Sequence, residues 1–276
     1  MQLSLSVRIA EAPCKTRLHL PFEEILEVAA KNGYGAICMR ASAGGVHSSP
    51  HQLEQMKQQI DAAGLVVSMV TADFDVPLNN EQGPDSLRDI EPSLDVASLM
   101  GCDLVRICMK QDADIPFARE SADRAAERGI RLVHQCHTSS IFEQLDRILE
   151  VVAEIDRPNF GIVYEPANLM LCGESYGEET LKRLTPCLMN VYVQNHRLDE
   201  QGPESLPTFC RGDVHFHHLP LWEAGGVDFH RVFSALSAIG YDGYFTIHQA
   251  EGIETVEDAH RFAARMAEFF HDSLVG

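Results

Sequence analysis

Apolar runs of strand length alternate with amphipathic runs of helix length eight times along the chain, and this alternation constrains the fold more than any other feature. The predicted strands are 3–10, 35–40, 66–72, 103–109, 131–135, 160–165, 190–194 and 243–248. They are short and rich in Val, Ile and Leu, as parallel strands covered on both faces must be. The predicted helices lie near 21–32, 50–63, 85–100, 117–128, 140–155, 175–187, 228–239 and 255–273. Pro21 suits a first helical turn, where its missing N–H would be unpaired anyway. Ser140 and Glu143 have capping-box spacing. Gly33, Gly64, Gly101, Gly129 and Gly240 each stand where a helix must stop.

Eight βα units in 276 residues average about 34 residues each, the size of a (β/α)8 TIM barrel. The main rival, a doubly wound open sheet, would place a glycine-rich phosphate loop after its first strand, and none follows residues 3–10. No Pro/Ser/Gly linker interrupts the rhythm, so residues 1–276 are expected to form one α/β domain.

The charge balance narrows the partners. With 22 basic and 41 acidic residues the formal net charge is −19. Such a surface repels phosphate backbones and anionic lipid, which argues against nucleic acid and membrane partners. No apolar stretch approaches the roughly 20 residues that cross a bilayer. The opening MQLSLSVRIAEAP lacks a basic segment followed by an apolar core, so it is expected to be a strand of the mature fold in a cytoplasmic protein. The eight cysteines include no CxxC pair and are expected to be mostly reduced.

Chemistry in such a barrel gathers where strands end. The polar residues there are Glu11, Arg40, Asp73, Arg106, Lys110, Gln135, His137, Glu165, Asn168, Gln194, Asn195, His196, Arg197, His248, Gln249 and Glu251. The segments LVHQCH, IVYEPANL, VYVQNHR and YFTIHQAE carry the sharpest signal. Side chains two apart on a strand share a face, so Gln135 shares a direction with His137, and Tyr192 with Gln194 and His196. Convergence of Gln135, Glu165, Gln194 and His248 would give one carboxylate, one imidazole and two amide oxygens, a nest for a divalent ion. His134 has the opposite parity and should face the surrounding helices.

These segments resemble the xylose-isomerase-like barrels of the sugar phosphate isomerase/epimerase superfamily over nearly the full length. NFGIVYEPANL is similar to the family's sixth-strand motif, GYDGYFTIHQ to its closing strand, and LPLWEAGGVDF to its approach to the seventh helix. The resemblance implies one divalent metal, Mn2+ or Mg2+ before Zn2+, held by Glu, Asp, His or Gln, and Glu on strands five to eight. Gln135, Glu165, Tyr192 or Gln194, and His248 stand at those places, so only the strand-six carboxylate is kept in kind. Asn168 replaces the usual following His.

The implied activity is that of an enzyme for a sugar, keto-sugar or sugar acid, abstracting a proton next to a metal-polarised carbonyl to give isomerisation, epimerisation or lyase-type cleavage. Because Gln135 cannot exchange protons, a two-carboxylate epimerase mechanism is disfavoured, while a metal held by His and a carboxylate would still polarise a carbonyl and the lyase branch stays open. Glu165, His248, Gln194 and Gln135 are then the candidate ligands. His137, His196 and His248 are candidate acid–base groups, and Arg106, Asn168 and Arg197 candidate substrate binders. A homodimer is expected only by the same resemblance. Two alternatives remain: a non-catalytic sugar-binding barrel that lost its metal, and a zinc phosphodiesterase like the type IV apurinic endonucleases. The latter is suggested by Asp213 and His215 in a loop that also holds His217 and His218. Those loop residues would otherwise simply meet solvent or a neighbouring subunit.

Overall fold

The computed structural model describes residues 1–72, 81–248 and 252–275. Asp73, Gln249 and Glu251 lie outside the described residues. The barrel strands are β1 (Gln2–Ser6), β2 (Ala36–Cys38), β3 (Val66–Thr71), β4 (Leu104–Ile107), β5 (Arg131–Gln135), β6 (Phe160–Tyr164), β7 (Leu188–Val193) and β11 (Tyr244–Ile247). They pair in parallel and close in the order β1-β11-β7-β6-β5-β4-β3-β2. All eight predicted strands are present, and the chain forms the expected (β/α)8 barrel.

The interior is filled in layers. Near the bottom the hydroxyls of Ser4 and Ser68 meet at 2.7 Å, and Thr246 Oγ1 donates to Asn190 Oδ1 at 3.4 Å. Above them Tyr192 meets Cys38 Sγ through its hydroxyl at 3.0 Å, and the His248 ring stacks on Tyr192 with centroids 4.1 Å apart. These polar interior groups pair with one another because an unpaired one, shut away from water, would cost the full desolvation of that group.

The helices are α1 (Phe22–Lys31), α2 (Pro50–Ala62), α3 (Asp85–Arg88), α4 (Glu91–Leu99), α5 (Ile115–Glu127), α6 (Leu145–Ile155), α7 (Pro166–Leu171), α8 (Glu178–Leu184), α9 (Phe229–Ala238) and α10 (Val256–Val275). The five punctuating glycines all take positive φ, from 62° to 80°. α10 packs back on the barrel: Phe233 of α9 stacks on Phe245 of β11 at 4.8 Å, and Phe270 of α10 closes on both. None of the described helices is long and apolar enough to cross a membrane.

Four boundaries differ from the sequence reading for local reasons. The first strand ends at Ser6, whose Oγ accepts from Arg8 N at 3.3 Å and turns 7–10 into a 3-10 helix. The helix expected over 85–100 splits at Asp89, because Pro92 cannot donate the amide that a continuous helix needs. Pro186 likewise tightens the end of α8 into a 3-10 turn. The capping box of Ser140 and Glu143 does not form, and α6 starts at Leu145 instead. Ser140 Oγ donates to His137 O at 2.6 Å and accepts from Phe142 N at 3.1 Å.

Glu143 is used elsewhere. After β7 the chain makes an antiparallel sheet of β8 (Asn195–Leu198), β10 (Gly212–Leu219) and β9 (Glu204–Thr208), in that order, where only a loop was expected. The Glu143 carboxylate accepts from Ser139 N at 2.5 Å, Phe209 N at 2.7 Å and Cys210 N at 2.9 Å, so it ties the tip of this flap to the barrel. Glu143→Ala should strand three amides and cost about 3 kcal/mol. Hydrogen exchange checks this: amides of 204–219 should lose protection while those of β1 keep theirs.

Candidate active site

The flap roofs a cavity of about 480 Å3 at the C-terminal ends of the strands. Its floor and walls come from Gln135 and His137 after β5, Asn168 on α7, Gln194 after β7 and His248 after β11. The flap adds His196, Glu204, Phe216 and His218. Arg8, Lys15, Arg40 and Arg106 bring positive charge to the lining. Glu204 is the one carboxylate among the described lining residues. A cavity of this size at this end of a barrel suits a small molecule.

Two of these cations, Arg40 and Arg8, are held by the buried carboxylate of Glu11. Glu11 Oε1 accepts from Arg40 Nε at 2.6 Å and from Ser42 Oγ at 2.6 Å, while Glu11 Oε2 lies 3.5 Å from Arg8 Nη1. Glu11 and Arg40 side chains are both 2% exposed. Such a pair survives burial only when its geometry and hydrogen bonds offset desolvation, and here the carboxylate is shared by three donors. Burial, with the neighbouring Arg40 next in size, brings Arg8 down to about 10.

Glu165 is fully buried at the start of α7. Gln135 Nε2 donates to its Oε2 at 3.3 Å, while Oε1 has no hydrogen-bond partner. Burial pushes its carboxyl well above the usual range, against the smaller pull of the Ala167 and Gln194 amides. Gln194 Nε2 turns to Asn168 Oδ1 at 3.4 Å, and Asn168 Nδ2 donates to Cys136 O at 2.9 Å. His248 sits on the β1 side, with Nδ1 3.3 Å from Ser6 Oγ.

The expected Mn2+ or Mg2+ would draw on Glu165, Gln135, Gln194 and His248. Hard divalent ions are held chiefly by carboxylates. Among the described residues the set supplies one, Glu165, while Gln194 turns to Asn168 and His248 to Ser6. Three guanidiniums, Arg40, Arg8 and Arg106, act on the His248 ring that would complete the site. The orphaned Glu165 Oε1 is satisfied by a proton as well as by a cation. The described donors therefore do not fit a resident hard divalent ion. Protein purified without chelator should carry well under one Mn, Mg or Zn per chain, and EDTA should leave Tm unchanged. Stoichiometric metal would overturn this.

The other sequence-derived residues divide clearly. Arg106, Asn168, His137 and His196 line the cavity as expected. Arg197 does not: it is exposed on β8, because the strand alternation that turns His196 inward turns its neighbour out. In the flap, His218 lines the cavity with Nδ1 3.1 Å from His196 Nδ1. His215 and His217 lie on the other face of β10, against Gly202 O at 3.2 Å and Asp199 Oδ2 at 3.0 Å. Asp213 is exposed. His134 faces the helices as expected, stacked on Phe142 with centroids 4.0 Å apart. A further group of metal-ligand type, Glu143 with Cys172 and Cys210, has its carboxylate committed to three amides. Sequence reasoning missed Arg8 and Lys15 as cavity residues, since both precede or follow what reads as a strand end.

A model of the family described as xylose isomerase-like TIM barrel matches residues 26–266. The chain belongs to that family. An inosose dehydratase from Geobacillus thermodenitrificans is 23% identical over 153 residues, 55% of this chain and 50% of that protein, so the match spans about half the relative's length. Among solved structures, a xylose isomerase domain protein from Planctomyces limnophilus superposes with a TM-score of 0.75 at 18% identity, covering 99% of this chain and 96% of the other. The probable 3-DHS dehydratase AsbF from Bacillus anthracis gives 0.74 at 16% identity, covering 98% and 99%. A barrel of the same family from Mycobacterium smegmatis, in complex with magnesium, gives 0.70 at 16% identity over 99% and 97%. At these identities the structural likeness is one of fold. The relatives named by activity are enzymes, which is consistent with an isomerase/epimerase-like or lyase-like enzyme.

Proposed function

We propose that the protein removes a proton next to the carbonyl of a small polyhydroxylated compound, such as a keto-sugar, a sugar acid or an inosose-like cyclic ketone. The outcome is isomerisation, epimerisation or dehydratase-type cleavage. The observation that carries this reading is His137 set beside Arg106 in the cavity wall. His137 Nδ1 lies 2.8 Å from the Thr138 carbonyl, which fixes the ring proton on Nδ1 and leaves Nε2 as the basic nitrogen.

Burial, followed by the Arg106 guanidinium, brings the His137 ring down to about 3, so it is neutral and ready to accept at neutral pH. Such a ring is a weak base until negative charge arrives. Proton abstraction supplies that charge: the electrons of the broken C–H bond move to the carbonyl oxygen and form an enediolate. Arg106 stands preorganised to stabilise this charge, the role assigned to a metal in the resemblance. Its partial neutralisation raises the proton affinity of His137 as the proton arrives. The imidazolium then returns the proton to the neighbouring carbon, or to a departing hydroxyl that leaves as water. His248, also neutral because burial and then Arg40 hold it well below its ordinary value, is a second imidazole on the β1 side, and it can pass to the opposite face only a proton that it first takes up from solvent once the enediolate charge has formed.

The test is deuterium wash-in at the carbon next to the carbonyl, followed by NMR in D2O with EDTA present, using inosose and a panel of ketoses. Exchange with at least one compound is expected. Absence of exchange across the panel, with a ligand that still raises Tm, would instead support a sugar-binding barrel without turnover. That second reading is favoured by Gln135 and Asn168, amides at places where the resemblance implies proton-exchanging or metal-binding groups.

A further inference from the structure

Lys15 has no place in the proton chemistry, yet it lines the same cavity. It sits in the loop 12–20, fastened to the barrel by the Glu11–Leu18 bridge and by backbone bonds from Lys15 N to Ala12 O at 2.8 Å and His19 N to Ala10 O at 2.8 Å. Its φ is 57°, the left-handed region that a side-chain-bearing residue enters at a cost. A tethered loop therefore holds a long cationic side chain at the cavity in a strained backbone conformation. Beside it, Arg8 also lines the cavity, and its Nε is buried with no hydrogen-bond partner. The Arg8 contact with Glu11 is a long 3.5 Å, while Glu11 makes its short bonds to Arg40 and Ser42. Two cationic groups thus reach the cavity with donor capacity that the described residues do not use up.

We infer that Lys15 and Arg8 form a subsite for an anionic group of the ligand, a carboxylate or a phosphate, so that the molecule bound here is a charged polyol derivative and not a neutral sugar. This deepens the proposed function and rests on it only in assuming that the ligand occupies this cavity. Guanidinium and ammonium together match an oxyanion, one by its planar fork and the other as a point charge. The lining acid Glu204 lies on the flap near His218, on which its carboxylate acts, and the Glu11 carboxylate faces the cations from below.

The subsite carries its own pH signature. Burial first, then Arg8 and Arg40, bring Lys15 down to about 8, with Glu11 opposing. His218, the flap imidazole that Lys15 also acts on, is held below its ordinary value chiefly by burial. Lys15 is accordingly charged below pH 8 and neutral above it, so anion affinity should fall as pH rises through about 8.

The test is calorimetric titration and thermal shift of the full chain with inorganic phosphate, with D-gluconate, and with neutral myo-inositol as the uncharged control. One of the two anions should bind at pH 7 and raise Tm, which tells phosphate from carboxylate. Lys15→Met should weaken that anion about ten-fold or more. Lys15→Arg should keep it and abolish the fall in affinity between about pH 7 and 9, because a guanidinium stays charged throughout. Equal binding by wild type and Lys15→Met, or binding of neither anion, would overturn the inference. If the anion binds through Lys15 while deuterium exchange fails with every carbonyl compound, the subsite stands and the proposed reaction falls.

Discussion

His137→Gln should slow deuterium exchange at the substrate carbon by about 10²- to 10⁴-fold, the usual contribution of a positioned general base. Gln fills similar space and can keep a bond to the Thr138 carbonyl, so ligand affinity should change by no more than about three-fold. This split separates a base from a binding residue. His215→Gln is the matched control, because His215 lies on the outer face of the flap against Gly202 O. Its exchange rate should be that of the wild type. A His137→Gln variant that exchanges within about three-fold of wild type would remove His137 from the reaction and leave His248 as the remaining strand-end imidazole on the cavity wall.

The largest stability effect should come from Glu11→Ala. Glu11 is buried, and its carboxylate serves Arg40, Ser42 and Arg8 at once. Removing one partner of a buried ion pair leaves uncompensated charge and costs about 3–5 kcal/mol. For a chain of this size that corresponds to a Tm lowered by roughly 10 °C. Ser42→Ala removes a single hydroxyl donor and should cost only about 1 kcal/mol. A Glu11→Ala protein melting within about 2 °C of wild type would show that the cations rearrange into solvent without loss. The variant should also lose the ordered wall formed by Arg8 and Arg40, so a thermal measurement comes before any reading of its activity.

Much of the site was legible from strand parity. Gln135, Glu165 and His248 stand at strand ends, and the alternation that aimed Gln135 at the cavity sent His134 toward Phe142. Arg197, read as a substrate binder, is instead turned outward, because the chain leaves the barrel at Gln194 and begins a different sheet at Asn195, whose alternation points His196 in and Arg197 out. Gly226 marks that crossing: a Cβ there would collide with Asn195 Oδ1 and the His196 carbonyl, so the chain can pass only as glycine. Asn195 fastens the crossing by donating to Pro220 O and Glu223 O and accepting from Val227 N. None of these partners is near it in sequence. The flap escaped notice because β9 contains Pro207 and its polar pattern lacks the clean apolar alternation of a half-buried strand.

The sequence by itself determined the barrel, since eight alternating periods leave little other way to bury eight apolar strands beneath eight amphipathic faces. It also determined which residue types stand at the strand ends. Only the tertiary structure decided what surrounds those residues, because charge and proton affinity depend on neighbours distant along the chain. Glu165 reads as a metal ligand in sequence, and its complete burial beside Gln135 favours a neutral carboxyl. Lys15 carries no signal in the sequence, and a bridge from Glu11 to Leu18 fastens its loop so that it lines the cavity. Periodicity is a local property and fixes elements, whereas electrostatics sums over space and is settled only when the barrel closes.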